Sequence, residues 1–408
     1  MDGLVFRHQE ILTVYWAILD QPAKIEKAIL SHFCKVNLML IRRRASDFAR
    51  FLTCRGDLAT ILHHLDDEAC PDLSDVLFAT IQNDTASEGI SIIDWFADHQ
   101  LIDRLVDRMI SSDNEMTREN AQRLLSDIIR LSQTNQFDAS SIGFKQLLEQ
   151  LTSYPVIKRI AHSMFDLSCD LPNALVPAIS MIVDLIRNNQ SVISVSEFAT
   201  LLDSTLDIFT THIPQLLSKL ELSGKQTFIE TPIGRQEPVG IERLAVCELF
   251  AALYYSSHTN EQFGHLFKQS LIDHAVLSRL LDMFFGFPWC NFLHVIVYDM
   301  LYQIFHADFN QPINYRLLME TLETNYLMKR ILQAHQANEK FIKEQKARLG
   351  FMGHISLLSR CILEVFQSQV DVATKMMDTD CWDEWVLYVQ TSLKKDIQRD
   401  NGPLGCKP

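Results

Sequence analysis

Glycine and proline are scarce over a long chain. There are 13 and 12 of them among 408 residues, about half of the roughly 12% that ordinary proteins carry for the two together. Folds built from many short strands need many turns, and turns draw on these two residues. A chain this poor in them is steered toward long helices joined by short polar connections. The apolar residues keep the matching period. Ala121, Leu124, Leu125, Ile128 and Ile129 stand at i, i+3, i+4, i+7 and i+8, which places them on one helical face. Arg118, Glu119, Arg123 and Asp127 fall mostly off that face. Ser111, Ser112, Asp113 and Asn114, just upstream, are residues of the kind that cap helix starts.

The same reading predicts helices over roughly 5–20, 22–33, 46–54, 72–82, 99–110, 142–151, 171–187 and 196–221. It continues through 240–257, 270–285, 291–307, 311–322, 325–346, 353–368 and 380–398. Two segments, 244–253 and 292–305, are apolar on nearly all sides, with Glu248 and Asp299 as their only formal charges. A helix apolar all round is buried between neighbours. Amphipathic helices flanking all-apolar ones is the pattern of a stacked α-solenoid, whose armadillo and HEAT repeats run to about 40 residues. The sequence shows no crisp repeat period, so an irregular helical bundle stays open as the alternative. The expected fold is all-α, an armadillo/HEAT-like helical-repeat solenoid over residues 1–398. The stretch 223–240 holds three glycines and two prolines and is expected to be a loop that splits the array in two. Residues 399–408 are expected to form a flexible tail.

Charge and cysteine usage narrow the partners. The formal net charge is -14, and no extended basic face is evident. Nucleic acid binding needs many Lys and Arg against phosphates, so nucleic acid is not an expected partner. The 9 cysteines are odd in number, irregularly spaced and free of any C-x-x-C pair. That fits reduced thiols in a cytoplasmic protein, with the nucleus as a second compartment. The first residues lack the apolar segment of a secretory signal. The uncharged stretch 283–298 is interrupted by Gly286, Pro288, Asn291 and His294 and is too short to span a bilayer.

Catalytic motifs are missing from the sequence. Gly224-Lys225 is followed by Gln226, where a phosphate-binding loop needs Ser or Thr, and the upstream glycine is absent. There is no G-x-G-x-x-G, H-E-x-x-H or G-x-S-x-G. Metallophosphatases hold two metal ions on G-D-x-H-G, G-D-x-x-D-R-G and G-N-H-E loops. Here the only Gly-Asp is Gly56-Asp57, followed by Leu58-Ala59-Thr60. His63, His64, Cys70 and His99 match no familiar zinc spacing. No catalytic residue, cofactor or metal is expected, and the chain reads as a binding module rather than an enzyme. Arg42-Arg43-Arg44-Ala45-Ser46 resembles a basophilic kinase site, although Ser46 as the cap of a helix starting near Asp47 is the plainer reading. Phe284-Phe285-Gly286-Phe287-Pro288-Trp289 puts four aromatics into six positions. It is either a core corner or an aromatic anchor for a partner, with Pro288 placed in the first turn of the next helix.

That aromatic run carries a resemblance. Leu281-Asp282-Met283-Phe284-Phe285-Gly286-Phe287-Pro288-Trp289-Cys290-Asn291-Phe292-Leu293-His294, continued by Val297-Tyr298-Asp299, resembles a signature ending in P-W-x-N-F-L-H and V-Y-D. Pro238-Val239-Gly240, Arg243-Leu244 and Glu248-Leu249-Phe250-Ala251-Ala252-Leu253 resemble P-L-G…R-L…E-L-I-A-A-L. Gly350-Phe351-Met352-Gly353-His354-Ile355-Ser356-Leu357 resembles G-Y-M-G-H-L-T-L. Upstream, Phe33-Cys34-Lys35-Val36-Asn37 resembles F-x-K-V-N, and Glu119-Asn120-Ala121 with Asp127-Ile128-Ile129 resembles E-N-A…D-I-I. These are the blocks of the SAPS (Sit4-associated protein) family, in family order, over roughly residues 30–400.

The resemblance implies a non-catalytic regulatory and scaffold subunit. It would bind a Ser/Thr phosphatase catalytic subunit of the Sit4 or protein phosphatase 6 type and guide its substrate choice. Phosphoprotein substrates or adaptors would be its further partners. The residues expected to contact a partner are Trp289, Asn291, His294 and Tyr298, with Met352 and His354 from the later block. The family pattern has more helical sequence before the position of Phe33 and a long acidic tail, so this chain reads as minimal, divergent or incomplete. Two other classes stay open: a generic armadillo-like adaptor without phosphatase, and a helical enzyme, against which the missing motifs count.

Overall fold

The computed structural model describes residues 6, 8–21, 24–66, 70–84, 91–131, 142–165, 174–188, 195–221, 228–231, 234–258, 261–345, 347–400 and 402. Within them the chain is almost wholly helical, and it packs as two units, 1–208 and 209–408. The division falls ahead of the 223–240 stretch. Residues 223–227 and 232–233 of that stretch, and 401 and 403–408 of the tail, lie outside the described residues.

The first unit contains α1 (Gln9–Trp16), α2 (Lys27–Arg55), α3 (Leu58–His63), α4 (Cys70–Gln82), α5 (Ile92–Asp98) and α6 (Leu101–Ser111). These are followed by α7 (Glu115–Leu131), α8 (Ile142–Thr152), α9 (Tyr154–Ser163), α10 (Leu175–Asn188) and α11 (Val195–Thr211), which runs through the boundary. Packing partners recur every three helices: α4 on α7, α7 on α10, α5 on α8 and α6 on α9. This is the layering of a helical repeat. Helix α7 shows why its sequence folds so: Ala121, Leu124, Leu125, Ile128 and Ile129 are all buried. Exposed ion pairs cross the ladder, Arg123 to Asp75 of α4 at 3.2 Å and Arg130 to Asp184 of α10 at 3.5 Å. Such pairs add at most about 1 kcal/mol each; burial of the apolar stripe holds the stack.

Sequence reading gives separate helices at 22–33 and 46–54. The structure has one long α2 that kinks at Arg44, where φ -148 and ψ 55 leave the helical region. The F-x-K-V-N block lies on its first limb. Phe33, Cys34 and Asn37 are buried, while Lys35 and Val36 face out. The Trp16 indole donates to Asn37 Oδ1 at 3.1 Å, and Asn37 Nδ2 donates to Phe33 O at 2.8 Å. Phe33, Phe48 and Phe51 surround the same indole.

The second unit opens with α12 (Ile213–Leu220) and a small antiparallel hairpin, β1 (Ile229–Thr231) with β2 (Gly234–Gln236). Then come α13 (Ile241–Ser256), α14 (Glu261–Asp273), α15 (Val276–Gly286), α16 (Asn291–Phe305), α17 (Pro312–Met319) and α18 (Leu327–Gln345). It closes with α19 (Met352–Ser368), α20 (Val370–Met377), α21 (Trp382–Tyr388) and α22 (Lys394–Asp400). Every third helix again packs on its counterpart: α13 on α16, α16 on α19, α14 on α17 and α18 on α21.

Three sequence expectations are corrected here. The helix expected over 196–221 breaks at His212, ahead of Pro214, which fits only a first helical turn. The helix expected over 270–285 breaks at Ala275, whose φ of 51 is left-handed; α14 ends before it and α15 starts after it. No glycine marks that break. Finally, the two all-apolar segments behave differently. Helix α13 is buried from Ala245 to Tyr254 except at Glu248, whereas α16 buries one side and leaves Phe292, Val295 and Tyr302 exposed.

Candidate partner-binding face

The signature run forms a turn rather than a helix start. Cys290 N donates to Phe287 O at 3.1 Å, which puts Pro288 and Trp289 at the turn's two central positions. Pro288 therefore fixes the first of these and stands before α16 rather than in its first turn. Two other blocks close on this turn. Arg243 of α13 donates to Val239 O, to Pro238 O at 2.9 Å and to Glu237 Oε1 at 3.0 Å. Its guanidinium also stacks on Phe287 at 5.0 Å. It ties Pro238-Val239-Gly240, where Gly240 has φ 81, to the aromatic run.

From the other side comes Gly350. A Cβ there would lie 2.6 Å from Pro288 O and 3.3 Å from the Trp289 ring, so the backbone approach requires glycine. Next to it, Phe351 stacks on Phe284 at 6.1 Å and meets the His294 ring edge-on at 5.8 Å. Three blocks far apart in sequence thus meet at one corner of the second unit. An open pocket of about 680 Å³ lies beside it, lined by Ile229, Val239, Arg279, Phe287, Trp289 and Phe292 among others.

The six sequence-selected residues divide by burial. Trp289 is 36% exposed, its ring 5.7 Å from Phe341. Asn291 is exposed, and Tyr298 and His354 are half-buried. His294 and Met352 are interior and present no side chain to a partner. His294 Nε2 donates to Phe287 O at 3.0 Å, bracing the turn from below. Burial, aided by the neighbouring His354, pulls the His294 imidazole down to about 4. Burial against Cys361 pushes the Tyr298 phenol up to about 12.

Sequence reasoning passed over the residues that reach furthest outward. Phe292 is 75% exposed, and Val295 and Tyr302 are about as open as Trp289. With exposed Asp299 they stand at i, i+3, i+7 and i+10, one stripe of α16. Leu357 on α19 is also exposed, and His306, just past α16, meets Glu364 of α19 at 3.3 Å. The available signal was the all-round apolarity of 292–305, taken as a mark of burial. Among the described residues no cluster of His, Cys, Asp and Glu could hold a metal ion, and no helix is long and apolar enough to cross a membrane.

A ladder of repeated helices of this kind defines an armadillo/HEAT-like helical-repeat protein. The SAPS family profile, described as SIT4 phosphatase-associated protein, matches residues 37–261 and 255–402. The chain belongs to the SAPS family. It is 23% identical over 548 aligned residues to SIT4-associating protein SAP190 of Saccharomyces cerevisiae, covering 99% of this chain and 52% of that protein. Against Serine/threonine-protein phosphatase 6 regulatory subunit 3-B of Xenopus laevis, identity is 26%, covering 96% and 48%. Against Extragenic suppressor of kinetochore protein 1 of Schizosaccharomyces pombe, it is 20%, covering 98% and 65%. The chain spans about half the length of the first two. No solved structure matches it.

Proposed function

We propose that this chain is a non-catalytic regulatory and scaffold subunit that binds a Ser/Thr phosphatase catalytic subunit of the Sit4/protein phosphatase 6 type. Family membership and the names of its relatives support the partner class. The observation that carries the surface is the exposed apolar stripe Phe292, Val295 and Tyr302, which starts in the family signature and runs on along α16, beside the Trp289 corner. A single large aromatic that is open in the free protein is the kind of residue that dominates an interface. The chemistry stays on the partner. The scaffold's contribution is to hold catalytic subunit and phosphoprotein substrate together, which raises their effective concentration. Its net charge of -14 favours basic substrate segments; binding that is insensitive to added salt would sink this last point. The cytoplasm and nucleus are the compartments in which such partners are sought, and imaging of the tagged chain tests that.

The experiment is an affinity pull-down of the tagged chain from its own cell lysate with quantitative mass spectrometry, repeated with Phe292→Ala/Tyr302→Ala. The expected result is a Sit4-like catalytic subunit in near-equal amount to the bait, reduced at least tenfold by the double variant. A soluble, folded bait without any such phosphatase overturns the reading and leaves the adaptor class.

A further inference from the structure

On the second unit, away from the signature corner, a lysine is buried with no ion-pair partner among the described residues. Lys268 on α14 is 3% exposed. Its Nζ donates to Asn314 Oδ1 of α17 at 3.0 Å, approaches His258 Nδ1 at 3.5 Å and lies 5.8 Å from the Tyr254 ring centroid. These are neutral acceptors and a π face. None carries the full negative charge that a buried ammonium ordinarily finds. Asp308, which lines the same pocket, accepts through Oδ1 from Asn310 N at 3.1 Å and Asn310 Nδ2 at 2.8 Å.

The lysine does not sit in a sealed core. It lines an open pocket of about 810 Å³ between α14 and α17, together with Ser257, His258, Gln262, His265 and Gln311. The Ser257 hydroxyl is spent on Tyr254 O, the Gln262, His265 and Gln311 side chains carry N–H groups that can donate, and among the described residues Asp308 is the only acid in the lining. Asn314 is itself buried and locked in place, its Nδ2 donating to Asp308 O at 3.0 Å so that Oδ1 points to the lysine. A fixed, desolvated cation at the wall of a donor-rich pocket is the arrangement that binds oxyanions.

We propose that the α14–α17 pocket is a binding site for the phosphate or carboxylate group of a small molecule, which docks against Lys268 Nζ. The pocket is far larger than a bare ion, with room for the body of such a ligand beside Leu266, Pro312 and Ile313. The site is independent of the phosphatase-binding reading. Burial pulls the free Lys268 ammonium down to about 8, so it is charged at neutral pH, and binding weakens as pH rises through that value.

The test uses the full chain and inorganic phosphate or acetate as probes, titrated at constant ionic strength set with sodium chloride while thermal unfolding is followed. The expected result is a saturable rise in Tm with at least one probe; which one responds identifies the anionic group. The apparent affinity should fall roughly tenfold from pH 7 to pH 9, as the lysine discharges. Lys268→Met should abolish saturation. Asn314→Asp, which supplies an internal carboxylate to the same Nζ, should raise Tm without probe and abolish the response, even if the methionine variant does not fold. The proposal is overturned if neither probe does more than chloride, or if Asn314→Asp responds as the wild type does.

Discussion

The guanidinium of Arg243 lies over the ring of Phe287 while three acceptors at Glu237, Pro238 and Val239 hold its nitrogens. One side chain thereby fastens the loop entering α13 to the aromatic turn at Phe287. Arg243→Ala is expected to lower the stability of the second unit by about 2–3 kcal/mol, read as a drop in the thermal midpoint. Arg243→Lys should recover less than half, because an ammonium lacks the planar fork that bonds three acceptors and stacks at once. Full rescue by lysine would show that charge alone matters.

Glycines 350 and 353 make a matched pair. Gly350→Ala drives a Cβ to 2.6 Å from Pro288 O and is expected to destabilise by about 1–3 kcal/mol. Gly353 has nothing within 4 Å of an added Cβ and lies in the first turn of α19, so Gly353→Ala should be neutral or stabilising by up to about 1 kcal/mol. Equal effects at the two positions would contradict the close approach of Gly350 to the turn.

Acid should loosen the same corner. The folded-state value of His294 is depressed to about 4, whereas an unfolded histidine titrates near 6.5. Between these values the unfolded chain binds a proton that the folded chain refuses. Stability is therefore complete above about 6.5 and falls as pH drops toward 4, by about 3 kcal/mol from this residue. Urea unfolding at pH 7 and pH 5 measures the slope. His294→Gln should lessen it, leaving the share of His258, which burial and Lys268 also pull down to about 4; an unchanged slope would assign the effect to other groups.

On the proposed binding surface, Phe292 and Trp289 separate two roles. Phe292→Ala removes a ring that is 75% exposed and should leave Tm within one degree or so while weakening capture of the phosphatase about 10- to 30-fold. Trp289 packs on Phe341 and Gly350, so Trp289→Ala should lower Tm as well. Phosphatase capture unaffected by Phe292→Ala would place the interface elsewhere.

In the first unit, Asn37→Leu strips the Trp16 indole of the acceptor Asn37 Oδ1 inside a packed aromatic cluster. A buried donor left unsatisfied costs about 1–3 kcal/mol. Unfolding followed by tryptophan fluorescence should show that loss; a shift below about 0.5 kcal/mol would mean that the indole finds water instead.

Local periodicity made most helices legible, because an apolar stripe is written within a few turns of chain. The stripe Ala121, Leu124, Leu125, Ile128 and Ile129 of α7, read as one face, is buried throughout. The break at Ala275 was not legible, since a left-handed alanine between α14 and α15 is imposed by packing, not by local preference. The corner was legible only in part. The signature identified the right segment, but which of its residues face outward depends on contacts with Arg243, Gly350 and Phe351, none of them local. His294 and Met352 are candidate partner contacts in sequence because they belong to recognisable blocks. In the structure both are buried, and His294 braces the turn through Phe287 O. Phe292 and Tyr302 were passed over because, in sequence, an apolar face awaiting a partner and an apolar face already buried look alike.

The convergence on Pro288–Trp289 also bears on how the surface can be copied. Its parts come from residues 237–243, 284–294 and 350–354, held in place by the helices between. A peptide of the signature alone would lack both clamps and would make a poor competitor. The epitope is discontinuous, so an inhibitor of it must be an antibody-like shape or a folded decoy of the entire second unit.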